Sequence, residues 1–362
     1  MAEQRDTVHP DTSLVDDEGP IDEAEEHNVL GLPWGERVEL PGRGKTFYRR
    51  VEGPPGAPTL LLLHGWVASG GLNYYNAFDE LSKHFSIIVP DMRGHGRGIR
   101  SRRRFRLGDC ADDTAALIEH LGCGPVIAVG YSMGGPIAQL LWKRHPELVS
   151  GLVLAATGSW LVPGLRQQIV VVGAVSAIAG PLRVTWGLPK TIRRRIPFAP
   201  TGERPSTFQR WASEEMRRHD WRMVTEAGVA VATFDSRRWI KHCDVPTTVL
   251  VTTRDRAVSP LEQARTALLI PTAEFLRYDE GHLAPVKETF GPKLTEACLH
   301  TAARIGLPAD ADTTEPVDLR LIAAAGLPLI ATGLIYDMAI VAAGALVLLV
   351  GLYGWILEPA TE

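Results

Sequence analysis

At 362 residues, 45% of them hydrophobic, the chain has the length and apolar content for one large domain or two modest ones. Its formal net charge of −4 is close to neutral, and its four cysteines (Cys110, Cys123, Cys243, Cys298) lie far apart without a C-x-x-C pair, which argues against a zinc knuckle or a redox motif and suits a reducing compartment. No basic, apolar and small-residue succession of a secretory signal peptide opens the chain, so export by that route is not expected.

The charge is unevenly spread. Met1 to His27 carries ten acidic residues against one arginine, and three acids with no Lys or Arg follow Leu321, so the middle of the chain carries +8. A basic body is consistent with attraction to an anionic surface such as lipid head groups, or with an arginine-rich solvated face. Residues 1–28 are acidic, poor in aromatics and without periodicity. Too little apolar surface is available there to offset the entropy of ordering, and the segment reads as disordered.

From residue 29 onward, short apolar runs alternate with helical patterns. "TLLLLHG" (Thr59 to Gly65), "FSIIVPD" (Phe85 to Asp91), "PVIAVG" (Pro125 to Gly130), "VSGLVLAA" (Val149 to Ala156), "TTVLVTT" (Thr247 to Thr253) and "AEFLRYD" (Ala273 to Asp279) read as strands. They are apolar on both faces and bounded by Gly, Pro or Asp, as in the buried strands of a mainly parallel sheet. Helical stretches such as Cys110 to Gly122 and Ser259 to Ile270 lie between them, which implies an α/β domain with helices on both faces. From about Trp160 to Trp239 no strand pattern occurs. That interval, with several tryptophans and the cluster Arg193 to Arg195, reads as an inserted helical cap between two strands of one sheet. Within it Gln168 to Gly180 is strongly apolar but too short to span a bilayer; it is either a cap helix facing an apolar substrate or a buried one.

The expected organisation is therefore a disordered acidic segment 1–28, an α/β core over 29–159 and 240–306, a cap over 160–239, a linker over 307–318 and a membrane-anchoring helix or helical hairpin over 319–357. Met338 to Leu357 holds twenty uncharged, mostly apolar residues, about 30 Å of helix at ~1.5 Å per residue. Asp337 is the one charge in Leu321 to Leu357, and with Tyr336 it marks a turn before a second, shallower helix. Arg304 and Arg320 precede the tail and nothing basic follows, which places the body on the cytoplasmic side of a membrane.

"GYSMG" (Gly130 to Gly134) fits G-x-S-x-G between a strand-like run and the helical "PIAQLLWKRH". A serine hydroxyl becomes a useful nucleophile when a base takes its proton and donors stabilise the oxyanion that follows. The two glycines suit a sharp strand-to-helix turn, and Pro136 suits the first helical turn. "LLLHGW" ends an earlier strand so that the Trp66 N–H turns toward the pocket, while the Met133 N–H lies at the positive end of the new helix. "TTRDRAVSP" sets Asp255 just beyond one strand and "YDEGHLAP" sets His282 just beyond the next.

With "HGW", "DMRGHG", "GYSMGG" and "D-x-x-V-x-P…GH" in this order, the body, roughly Gly31 to Ile305, resembles the α/β-hydrolase fold superfamily, and most the bacterial serine esterase and haloperoxidase-like group. The resemblance implies a mostly parallel sheet of about eight strands, with the cap after the sixth. It implies Ser132 as nucleophile, His282 as general base and acid, Asp255 as the orienter of His282, and Trp66 and Met133 as oxyanion donors. One departure is Arg97 in "GHGRG", where a small residue is common in the family. The tail has no counterpart in the simple family members.

Other polar residues read differently. His64 and His95 sit in glycine turns and read as structural, since neither lies on the expected histidine loop. Asp279 and Glu280 are close in sequence to His282 for reaching its far nitrogen. Asp91 reads as stabilising its own loop, and Asp235 is a further acid candidate near the end of the cap. No His/Cys/Asp cluster has metal-ligand spacing, and neither a cofactor nor a nucleic-acid partner is expected. Dehalogenases and epoxide hydrolases of this fold carry aspartate at the elbow, so Ser132 points instead to acyl transfer from an ester, thioester or amide. The expected activity is hydrolysis of a small-molecule or lipid ester at a membrane. An acyltransferase or perhydrolase on the same triad, or a slow-turnover receptor of this fold, are the alternatives, and the oligomeric state is left open.

Overall fold

The computed structural model describes residues 31–162, 164, 168–177 and 207–306. The acidic segment 1–28, the linker 307–318 and the apolar tail 319–357 lie outside the described residues. Among the described residues no helix is long and apolar enough to cross a membrane.

Eight strands form one sheet: β1 (Gly35–Leu40), β2 (Gly44–Val51), β3 (Thr59–Leu63), β4 (Ser86–Pro90), β5 (Val126–Tyr131), β6 (Val149–Ala155), β7 (Thr247–Thr252) and β8 (Ala273–Tyr278). Their order is β1-β2-β4-β3-β5-β6-β7-β8, with β1–β2 and β2–β4 antiparallel and every later pair parallel. The six apolar runs of the sequence become β3 to β8. The hairpin β1–β2 carries Glu36, Arg37, Lys45 and Arg50 instead of an apolar run, as an antiparallel sheet margin partly open to water allows.

Alternation along each strand divides the core. Leu61, Leu63, Ala128, Leu152 and Val249 pack on one face with helices α3 (Leu107–Leu121) and α4 (Gly134–Arg144). Leu60, Leu62, Ile127, Val153 and Leu250 pack on the other with α1 (Gly70–Tyr74), α2 (Phe78–Ser82) and α8 (Phe290–Ala303). This two-sided burial is why β3 to β7 read as largely apolar runs, while the edge strand β8 is only half-buried.

Strands β6 and β7 are neighbours in the sheet, and the chain between them leaves it to form α5 (Thr207–Arg217) and α6 (Trp221–Ala232) before returning. The described part of the apolar run after Gln168 is helical over 168–177. An isolated bridge pairs Trp160 with Asp235 where the insertion leaves and rejoins the core. Helix α7 (Pro260–Leu269) then links β7 to β8.

Candidate active site

Ser132 occupies the turn between β5 and α4 with φ of 51°, a left-handed conformation that non-glycine side chains rarely adopt. The turn is sharp enough to exclude side chains beside it. A Cβ on Gly130 would lie 2.4 Å from the Gly134 carbonyl oxygen, and one on Gly134 would lie 1.9 Å from that of Leu63. The Ser132 N–H donates to the Ala155 carbonyl at 3.0 Å. The Ser132 carbonyl accepts from the Gly135 N–H at 2.9 Å and from Thr157 Oγ1 at 2.8 Å, so the end of β6, the residue two beyond it and the start of α4 hold the turn together.

Three strand ends deliver three side chains to one place. His282 Nε2 lies 2.9 Å from Ser132 Oγ, and His282 Nδ1 lies 2.8 Å from Asp255 Oδ2. A carboxylate can only accept, so Nδ1 carries the proton and Nε2 presents its lone pair to the serine hydroxyl. Asp255 is only 5% exposed. Its Oδ1 accepts the Ala257 and Val258 N–H groups at 2.8 and 2.9 Å, and its Oδ2 accepts Thr252 Oγ1–H at 2.8 Å. Burial pushes the Asp255 carboxyl upward, but His282 and these donors outweigh it and hold the group below its ordinary value. For His282 burial pushes downward, the charge and hydrogen bond of Asp255 push upward, and the net direction is up. Tyr131 hydroxyl donates to the His282 carbonyl at 2.8 Å, fixing the backbone beneath the ring.

The loop after β3 lies against the same serine: a Cβ on Gly65 would sit 3.4 Å from Ser132 Cβ. Gly65 N–H is tied to Asn73 Oδ1 at 2.8 Å, and Val67, with φ of 61°, is a β-branched residue in the left-handed region. Among the described residues, neither the Trp66 N–H nor the Met133 N–H is used in a hydrogen bond. The Trp66 side chain faces the cap. Its Nε1–H donates to the Val224 carbonyl at 2.6 Å, and its ring fills the space a side chain on Gly228 would need.

The remaining candidates lie elsewhere. His64 Nδ1–H donates to the Gly65 carbonyl and its Nε2 accepts the Met92 N–H, both at 2.8 Å, so the ring is a neutral brace between two loops. His95 is buried between His64 and His219, with ring centroids 5.3 and 5.5 Å away. Asp91 Oδ1 accepts the Gly70 N–H and Oδ2 the Arg97 N–H, both at 2.8 Å, which stabilises its own loop and α1. Asp235 pairs with Arg237 and Asp279 with Arg254. Glu280 accepts the Arg254 N–H through its backbone carbonyl. Arg97 is matched by Glu215 of α5 at 2.9 Å. Among the described residues no group of three or more His, Cys, Asp or Glu side chains could hold a metal ion. The sequence reading missed Thr157, Thr252 and Gln263. Each is an ordinary polar residue in its own segment and gains its position only when separate strands and helices meet.

A family model described as the alpha/beta hydrolase fold matches residues 58–289. Over 95 residues the chain is 42% identical to a magnesium-chelatase 30 kDa subunit from Rhodobacter capsulatus, covering 26% of this chain and 33% of the relative. The chain spans about a third of the length of the first curated relatives it matches. A poly(3-hydroxyalkanoate) depolymerase from Ectopseudomonas oleovorans is 27% identical over 243 residues, 63% of this chain and 80% of that one. Among solved structures, a thermophilic esterase from Thermogutta terrifontis with malate bound superposes with a TM-score of 0.57 at 23% identity, over 75% of this chain and 99% of that one, a likeness of fold.

Proposed function

The chain belongs to the α/β-hydrolase fold family, and from that premise we propose that it is a serine hydrolase that cleaves carboxylic esters through an acyl-enzyme. The observation that carries this reading is the continuous contact from Ser132 Oγ through His282 to Asp255, at 2.9 and 2.8 Å. His282 Nε2 takes the Ser132 proton as Oγ attacks the ester carbonyl carbon. Asp255 stabilises the imidazolium, and the Trp66 and Met133 N–H groups receive the oxyanion. His282 then protonates the leaving alcohol. In the second half it deprotonates water, which attacks the acyl-enzyme and releases the acid and Ser132. The similarity to a protein named a depolymerase supports cleavage chemistry.

The reading extends to anchoring through residues 319–357 on the cytoplasmic face of a membrane, with an apolar ester drawn from or near the bilayer. The twenty-residue apolar run Met338 to Leu357 supports it. Labelling of the full chain with a fluorophosphonate, followed by peptide mapping, tests the nucleophile: modification at Ser132 is expected, and modification elsewhere or none overturns the reading. Fractionation tests the anchor. Recovery of the full chain in the soluble fraction without detergent would remove it, and deletion from Leu319 onward is expected to release an active body.

A further inference from the structure

We propose that Gln263 and Thr252 are positioning residues that hold the Asp255 carboxylate in the orientation His282 requires, an inference that rests on the hydrolase reading above. Gln263 is 0% exposed, at the start of α7, and every polar atom of its amide must therefore find a protein partner. Its Oε1 accepts the Thr252 backbone N–H at 3.0 Å, and its Nε2 donates to the Val258 carbonyl at 2.9 Å. These two backbone groups fix which end of the amide is which, because an N–H needs the oxygen and a carbonyl needs the nitrogen. The second Nε2 proton consequently faces Thr252 Oγ1 at 2.9 Å, with Asp255 Oδ2 beyond it at 3.3 Å.

Thr252 passes the polarity on. Its single hydroxyl proton has two acceptors in reach, Asp255 Oδ2 at 2.8 Å and Gln263 Oε1 at 3.2 Å, and the shorter contact to a charged oxygen takes it. The chain of donors runs one way, from amide to hydroxyl to carboxylate, and each bond polarises the next. Asp255 is buried, and among the described residues no Lys or Arg forms an ion pair with it. Its charge is carried by aligned dipoles and by His282. With Oδ1 occupied by two backbone donors and Oδ2 held laterally by Thr252 and Gln263, one direction remains for the His282 N–H. Other titratable and charged groups near this pair are engaged elsewhere: Tyr131 with the His282 backbone, Tyr278 with Thr289, Arg254 with Asp279, and Glu262 with Arg265.

Removing these donors leaves the carboxylate less neutralised, so a protonated His282 is favoured and its titration moves up. In the full chain, Gln263→Met and Thr252→Val are each expected to lower kcat on p-nitrophenyl acetate on the order of 10- to 100-fold, as for partners that orient a functional histidine elsewhere. The acid limb of kcat/KM should rise by roughly half a pH unit. Thr252→Ser, which keeps the hydroxyl, should restore both. The His282 imidazole is followed independently by NMR of histidine-labelled protein, with the same upward displacement expected in a Ser132→Ala background that does not turn over. Lowered thermal stability with an unmoved acid limb and an unmoved His282 titration overturns the proposal, and Thr252→Val decides it if Gln263→Met does not fold. Should the titration move while the parent chain hydrolyses no ester, the positioning stands and the hydrolase reading fails.

Discussion

Arg97 and Glu215 form an ion pair at 2.9 Å with both side chains 1% exposed, joining the loop after β4 to cap helix α5. Glu215 also accepts the Ser69 hydroxyl and pairs with Arg218, and the Arg97 guanidinium lies 4.6 Å from the centre of the Phe47 ring. Charges this deeply buried are costly to desolvate and more costly to strand. Glu215→Ala should therefore lower the free energy of unfolding by about 3–5 kcal/mol. Arg97→Ser should cost less, because Glu215 keeps Arg218 and Ser69. The double variant should be more stable than the sum of the single effects predicts, read from urea unfolding as a positive coupling.

Asp255→Asn tests the electrostatics of the proposed triad. The amide keeps the shape of the carboxylate but offers an N–H where His282 needs an acceptor, and kcat should fall on the order of 10⁴-fold. The pH dependence has a definite sign. On the proposed mechanism His282 must be neutral to accept the Ser132 proton, so activity should fail as the pH drops through its pKa. Asp255 raises that value above the ordinary imidazole 6.5, against the downward push of burial. In the parent chain the acid limb should lie above pH 6.5. In Asp255→Asn burial acts unopposed, and the residual activity should persist to lower pH. A limb that stays in place in the variant would separate His282 from Asp255.

How much of this was legible in the sequence follows from where each residue finds its partners. Strands β3 to β7 could be read because burial on both faces favours runs of Leu, Ile and Val, as in Leu60 to Leu63. Strand β8, half-buried at the sheet edge with Glu274 and Arg277, could be read from its Phe275–Leu276 centre. The hairpin β1–β2 could not, since Lys45 and Arg50, which meet water, and the buried Arg49 interrupt any apolar pattern. Ser132, Asp255 and His282 could be singled out because each lies within four residues of the end of a readable strand. Arg97 could be marked as unusual but not explained: its partner Glu215 is one of many charges in a cap without strand punctuation. Gln263 gave no signal, because a glutamine on a helix is unremarkable until β7 places Thr252 against it.

Trp66 couples the loop after β3 to the cap. A Cβ on Gly228 would come within 2.6 Å of Trp66 Cζ2, so Gly228→Ala must displace either the indole or α6. Overpacking of this kind costs about 1–3 kcal/mol. Because the Trp66 N–H is one of the two proposed oxyanion donors, kcat should fall further than stability alone explains. Loss of one such donor elsewhere costs ~10²–10³-fold, which sets the upper bound for a displaced one. KM for a short ester should change little. Equal losses of kcat and of folded protein, with normal activity per folded molecule, would show that the ring braces the cap and nothing more.

Acid stability should be governed by the buried histidines of the loops after β3 and β4 and of the cap. Burial holds His64 down at about 4 and His219 at about 3, and pushes His95 well below its ordinary value. In the unfolded chain each takes a proton near pH 6.5, whereas the folded chain resists until much lower pH. The stability these rings contribute is complete above pH 6.5 and is lost as the pH falls, for His64 between 6.5 and about 4. At pH 5 the loss amounts to roughly 2 kcal/mol for each such ring. Asp91 opposes this: burial and the neighbouring Glu215 raise it to about 6, so the folded chain gains a proton before the unfolded one as the pH drops toward 3.8. One carboxyl does not balance three imidazoles, and the urea midpoint should fall steadily from pH 7 to pH 5. His64→Gln is the informative variant, since a neutral amide can accept the Met92 N–H and donate to the Gly65 carbonyl without ever titrating. Its midpoint should fall less over the same range. A decline as steep as that of the parent chain would place the acid sensitivity outside His64.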